Sequence, residues 1–357
     1  MRYKLFGRSG LRVSELCLGT AHFGVTERFA KTVEWNTDCG SNADESAKIF
    51  DAFANAGGNF IDTADVYGDG DGASETLVGE FIKADRDHFV VSSKYTLSFG
   101  SDPSKAGNSR KNMRRSVEQS LRRLKTDHID VYWLHAWDFT TPADEILRGL
   151  DDLVSSGKVT YIAATNVEAW RISSANTLAD LRGWAPFIGI QICYSLAERT
   201  AERDLLPMAK EFDLGITASA PLAAGLLTAK HLGAETQVDG RWSGRPIPNK
   251  YLEVAKIVAE VAHETACTAG QVALAWLRQQ TRYRNAVIPI LGARTSSQMR
   301  ENLECTGIVL GRDQWRRLDE ATAVDKGYLQ QLLTVPGHGV RDSSHAGQFE
   351  NIDNHRS

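Results

Sequence analysis

Short apolar or β-branched runs alternate with longer amphipathic stretches along most of this chain, and this alternation constrains its fold more than any other feature. Eight strand candidates stand out: Leu16–Gly19, Asn59–Asp62, Phe89–Lys94, Ile129–Leu134, Tyr161–Thr165, Phe187–Gln191, Gly215–Ala218 and Ala286–Ile290. Helix-like stretches lie near 44–56, 74–84, 109–125, 142–155, 168–180, 202–212, 251–280 and 296–303. In the third, Met113, Val117, Leu121 and Leu124 recur at helical spacing with Arg and Glu between them. Thr141-Pro142 followed by Asp144-Glu145 predicts a helix start with a capping hydroxyl, proline at the first position and acids in the first turn. Such alternation implies βαβ units and a mostly parallel sheet. Eight of each favours an α/β fold closed into a (β/α)8 barrel over an open doubly wound sheet. No G-x-G-x-x-G follows the first strand, which weakens the Rossmann alternative.

The 357 residues fit one large barrel with long loops, predicted over 1–325. Tyr3-Lys4-Leu5-Phe6 and Leu11-Arg12-Val13-Ser14 flank Gly7-Arg8-Ser9-Gly10, the pattern of a hairpin placed to plug the barrel's bottom. The stretch 231–250 reads as a barrel loop, and the tail 326–357, with scattered glycines and little periodicity, as loop or disorder. A net charge of −4 gives no basic excess for nucleic acid or anionic lipid. Leu214 to Ala229, 16 uncharged residues interrupted by Pro221, is too short and too polar for a spanning helix. The first eight residues carry no apolar core of signal-peptide length. Five cysteines, never closer than 22 residues, argue against a disulfide framework or a zinc cage. Reduced thiols in a cytoplasmic protein are the expectation.

Position singles out a few polar residues. Asp62, Lys94, His135, Asn166 and Gln191 stand at or just past the C-terminal ends of strand candidates two to six. In a β/α barrel that face carries the active site. Each residue alone has an ordinary reading, as a turn cap, a solvated strand end or a core imidazole, and Tyr67 could be a surface-loop aromatic. Together they make an acid. A phenol ordinarily titrates near ~10, and an adjacent ammonium stabilises its phenolate. A carboxylate such as Asp62 can hold that lysine, and a neutral histidine can donate an N–H to a carbonyl oxygen. This group suits protonation of a carbonyl oxygen while hydride reaches carbon, and hydride chemistry requires a cofactor. A metal-dependent hydrolase would need several His and acidic ligands at strand ends. Only His135 of the nine histidines qualifies.

At this point the residues resemble the aldo-keto reductase superfamily, over roughly Tyr3 to Leu318. Phe60-Ile61-Asp62-Thr63-Ala64-Asp65-Val66-Tyr67-Gly68 is similar to the family's Asp-and-Tyr motif, and Ser93-Lys94 and Trp133-Leu134-His135 to its Lys and His motifs. The resemblance implies a TIM barrel and a tetrad of Asp62, Tyr67, Lys94 and His135, with Tyr67 the proton donor. It implies NADPH, with NADH possible, lying across the barrel. It implies Thr20 and Asp62 as cofactor contacts, Thr165, Asn166 and Gln191 as partners of the nicotinamide carboxamide, and Tyr194 as the residue stacked on the ring. Pro221, Leu222, Gly225 and Leu226 match the pyrophosphate loop. Gly292, Arg294, Gln298 and Asn302 match the adenosine site, with Arg294 placed for a 2′-phosphate. Thr165 replaces the usual Ser, Ala220 stands where Ser is frequent, Ser219 where an aromatic is common, and Leu291 where Pro is usual. The motif style is nearest the bacterial, potassium-channel-β-like branch.

The implied activity is reversible reduction of an aldehyde or ketone, with the pro-R hydride passing to carbon. Two further readings stand beside it: an NADP(H)-binding regulatory subunit, and a physiologically oxidative sugar or secondary alcohol dehydrogenase. Phe23, Trp35, Trp137 and Trp242, with Tyr67, His135 and part of the tail, are the candidates for substrate contact. Substrate and oligomeric state are not legible.

Overall fold

A computed structural model describes residues 1–25, 40–232, 246–280, 286–334, 339–348 and 351–352. Trp35 and Trp242 lie outside the described residues. The chain opens with an antiparallel hairpin, β1 (Tyr3–Leu5) paired with β2 (Arg12–Ser14). Eight parallel strands follow and close on themselves: β3 (Cys17–Gly19), β4 (Phe60–Asp62), β5 (Val90–Tyr95), β6 (Ile129–Leu134), β7 (Val159–Thr165), β8 (Phe187–Cys193), β9 (Gly215–Ser219) and β10 (Val287–Leu291), with β10 returning to β3. All eight coincide with the expected strands to within a few residues. They read clearly because strands covered on both faces are near-continuous apolar runs.

Helices pack outside. Among them are α1 (Ala43–Asn55), α2 (Ala73–Ile82), α3 (Arg110–Leu124), α4 (Ala143–Ser155) and α5 (Ala169–Arg182). Met113, Val117, Leu121 and Leu124 of α3 are all buried, as their spacing predicts. Ser109 caps α3 by accepting from the Asn112 amide, and Lys125, in the left-handed region, ends it. The α4 start departs from expectation: Pro142 is the N-cap, and Thr141 donates its hydroxyl to Asp138 at 2.7 Å. Asp138 also accepts from the amides of Asn108, Thr140 and Thr141, so this one carboxylate fastens the loop after β6. Burial opposes its charge, but those donors prevail and hold its pKa at about 2.

Two cores result. Inside the barrel lie Phe60, Val131, Trp133, Ile188 and Ile288, closed from below by Phe6 of the hairpin. Phe6 meets Phe60 and Trp133 edge-on at 5.5 and 6.2 Å. Glycine at 189 and 215 makes room for it: a Cβ at either would sit 2.6 Å from the Phe6 ring. The larger core fills the space between strands and helices.

Three expectations change. The stretch 251–280 is two helices, Asn249–Thr265 and Ala269–Arg278, parted at Ala266 (φ 51°) and restarted by a Thr268–Gln271 capping box. A further helix, Arg312–Ala321, was not anticipated. The tail contains a helix over Gly327–Thr334, whose Gln330 side chain donates to the Arg203 carbonyl at 3.2 Å. Among the described residues no helix is long and apolar enough to cross a membrane.

Candidate active site

Asp62 ends β4, Lys94 lies near the end of β5, and His135 follows β6, so the parallel barrel delivers all three to one face. Tyr67 reaches them from the turn after β4. Lys94 is the hinge of the group. It is fully buried and donates to Asp62 Oδ2 at 2.6 Å, the Thr63 carbonyl at 2.9 Å and Tyr67 Oη at 3.1 Å. Its three ammonium protons thus have three acceptors. Asp62 Oδ1 in turn accepts from Ser92 Oγ at 2.9 Å and Gln191 Nε2 at 3.1 Å. Burial works against the lysine's charge, yet the carboxylate and phenol beside it prevail and raise its pKa. Lys94 is therefore a fixed cation facing a phenolic oxygen.

His135 meets Tyr67 edge-on, ring centroids 6.0 Å apart. Burial, then the Lys94 charge, lower its pKa to about 3, so the imidazole is neutral around pH 7. Its backbone is held on both sides: the His135 N–H donates to the Tyr95 carbonyl, and Asn166 Nδ2 donates to the His135 carbonyl at 2.9 Å.

From Asp62 and Tyr67 a cavity of about 580 Å³ runs across the ends of β9, β10 and β3. Of the sequence candidates, Asp62, Tyr67, Gln191, Pro221, Leu222, Gly225, Gly292, Arg294, Gln298 and Asn302 line it. Several do not. Thr20 is buried and donates its hydroxyl to the Asp62 carbonyl, bracing the tetrad from behind. Thr165 and Leu226 are buried off the cavity wall, and Asn166 serves His135 instead. Tyr194 is fully buried, its hydroxyl donating to Glu202 at 2.8 Å and its ring tilted against Trp276. It offers no ring face here. Ser219, at the end of β9, lines the cavity. Phe23 is likewise core, edge-on to Phe81 at 6.3 Å. Trp137 is almost fully buried beneath the Arg171 guanidinium, 5.3 Å from its ring.

The cavity is lined by charges of both signs, with the carboxylates Asp62 and Glu301 among them. Lys230 and Arg294 line it, along with the amides of Gln298 and Asn302. Sequence reading missed Lys230, which sits just beyond the glycine-containing loop and had no partner motif to mark it. Ala220, Ala223, Ala224 and Gly225 all have positive φ, from 49° to 91°. Three alanines in the left-handed region within one loop represent stored strain, which clusters at ligand clamps. At Gly225, with φ 91°, a side chain would be strained by the backbone, while its Cβ would only touch Lys230 Cε at 3.4 Å.

The comparisons agree with the geometry. The model of the Aldo/keto reductase family matches residues 15–323. The chain is 34% identical to norsolorinic acid reductase of Aspergillus flavus, over 92% of this chain and 83% of that protein. It is 36% identical to aryl-alcohol dehydrogenase [NADP(+)] of Phanerodontia chrysosporium, over 89% and 85%. It is 34% identical to the uncharacterized oxidoreductase YrpG of Bacillus subtilis, over 90% and 95%. Fungal and bacterial relatives both match, so no bacterial branch is singled out. With a closed parallel barrel, the tetrad at its mouth and the match across its length, this chain belongs to the aldo/keto reductase family of oxidoreductases.

Proposed function

We propose that this protein reduces an aldehyde or ketone to its alcohol, reversibly, with NADPH. The observation that carries this reading is the Lys94 ammonium bridging Asp62 and Tyr67 at 2.6 and 3.1 Å, both of which line the cavity. The bound nicotinamide would supply hydride to the carbonyl carbon. Tyr67 donates its phenolic proton to the carbonyl oxygen, and Lys94 stabilises the phenolate left behind. Asp62 holds Lys94 charged and in place. The neutral His135 has a proton to donate and orients the carbonyl. Residues 219–225 and Lys230 would face the phosphates, and Gly292, Arg294, Gln298 and Asn302 the adenosine end. The name of one relative, an aryl-alcohol dehydrogenase, favours an aromatic substrate and makes the oxidative direction a second reading.

Turnover of the purified chain against aromatic aldehydes, aldoses, ketosteroids and secondary alcohols, in both directions, tests this. Reduction of at least one carbonyl class is expected. Tight NADPH binding without turnover of any would favour a regulatory role.

NADPH should be preferred to NADH, because a guanidinium binds a phosphate through paired charged hydrogen bonds. Arg294→Ala should lose roughly 1.5–3 kcal/mol of NADPH binding, about ten- to hundred-fold in Kd. NADH affinity should hold, and fluorescence titration of both cofactors checks it. Equal wild-type affinities would remove Arg294 from this role.

The tail after Lys326 should shape the substrate pocket. Leu332 and Leu333 are only partly covered, and the helix at Gly327–Thr334 docks beside the loop after β8. Deletion from Lys326 is expected to raise KM or shift substrate preference at constant NADPH affinity. Deletion from Gly347 should do much less, since terminal polar residues are usually poorly ordered. Unchanged kinetics in the longer truncation would leave the pocket to the barrel loops.

A further inference from the structure

A second group of ionisable side chains lies behind the tetrad and takes no part in the chemistry above. Asp65 sits two residues before Tyr67, and its N–H donates to the Lys94 carbonyl at 3.1 Å. It therefore joins the segment carrying the phenol to the strand carrying the ammonium. Although the residue as a whole is partly exposed, its Oδ1 is sealed from solvent and has no hydrogen-bond partner. The Ser116 hydroxyl of α3 reaches its carboxyl.

The neighbours explain why this carboxyl is short of partners. Glu75 of α2 is fully buried and already holds the nearest cation: Arg123 of α3 contacts its Oε2 through Nη2 at 2.6 Å and Nε at 2.7 Å. The Ser93 hydroxyl bonds Glu75 Oε1. This pairing is built into the backbone, because Gly72 leaves the space the guanidinium fills. A Cβ there would stand 2.2 Å from Arg123 Nε. Arg115, also on α3, is engaged by Gln119 at 2.7 Å and Asn112 at 2.8 Å. From β6, Tyr132 faces the group with a buried hydroxyl that has no partner, its ring stacked on Tyr95 at 5.2 Å. Burial, then the Asp65 charge, push the Tyr132 phenol well above its usual range, so it stays neutral. Arg123 is thus already paired with Glu75, and Arg115, held by neutral amides, acts on Asp65 through its charge alone, so an ionised Asp65 has no cation of its own in contact.

We propose that Asp65 is a positioning residue that holds the Tyr67 segment as a neutral carboxylic acid, and that its ionisation loosens that segment from β5. The proposal extends the carbonyl-reductase reading without altering the tetrad's roles. Burial first, then the Glu75 carboxylate, raise the Asp65 pKa to about 7, so the change falls within the working pH range.

The test compares wild type with Asp65→Asn, which keeps the neutral form's shape, and Asp65→Ala. Wild-type kcat/KM for reduction should fall about ten-fold per pH unit once Asp65 ionises. Asp65→Asn should keep its low-pH activity and lack that limb, while Asp65→Ala should be impaired at every pH. Two readouts need no substrate. The infrared carbonyl band of a protonated carboxylic acid should be present in wild type at pH 6 and missing from Asp65→Asn. The folded state retains a proton that an ordinary Asp, near 3.8, has released, so wild type should lose Tm relative to Asp65→Asn as pH rises from about 4 to 7. An unchanged alkaline limb in Asp65→Asn, an infrared band that survives it, or Asp65→Asn as inactive as Asp65→Ala would overturn the proposal. Absence of any carbonyl turnover would defeat the reductase reading instead, leaving the infrared and thermal comparisons to decide on Asp65.

Discussion

Tyr67→Phe should lower kcat for carbonyl reduction by roughly 100- to 10,000-fold, the range general acid catalysis ordinarily supplies. NADPH binding should stay within a few-fold. The substitution removes the Oη that Lys94 reaches at 3.1 Å but keeps the ring that packs edge-on against His135. Steady-state rates beside a cofactor fluorescence titration make the comparison. A variant that keeps most of its kcat would take Tyr67 out of the mechanism, and one that loses NADPH affinity as well would make the phenol a binding group.

Lys94→Met should be costly twice over. Methionine fills similar space, but it leaves Asp62 Oδ2 buried without its ammonium, and breaking a buried pair from one side costs about 3–5 kcal/mol. Activity should fall at least as far as in Tyr67→Phe, because the phenolate loses its stabilising charge. Denaturant unfolding measures the first effect, and the cycle with Asp62→Asn separates it from lost packing. If the double variant is more stable than Lys94→Met alone, the penalty was the stranded carboxylate. Equal instability would point to the lysine stem's packing.

The barrel and the placement of three polar residues on one of its faces were legible for one reason. A parallel strand covered on both faces must be apolar, so a polar residue at its end marks both the strand boundary and the catalytic face. Asp62, Lys94 and His135 follow directly from that rule. Tyr194 does not, because alignment to a motif does not say which way a side chain turns once the strand has ended. Gln191 lies within β8 and reaches the cavity, whereas Tyr194, just past it, turns into the core toward Glu202. The break at Ala266 was hidden by the absence of a glycine in the left-handed position, though the Thr268–Gln271 pair downstream was a readable capping box. Asp65, Glu75 and Arg123 come from a loop and two helices and share no spacing. Only the packed chain brings them together.

One measurement tests the central claim most directly: reduction of an aromatic aldehyde with NADPH carrying deuterium in the pro-R position at nicotinamide C4, followed by the mass of the alcohol. The account predicts one deuterium on the carbinol carbon of every product molecule, with the rate collapsing in Tyr67→Phe. Alcohol formed without deuterium, or no alcohol while the cofactor remains tightly bound, would contradict it.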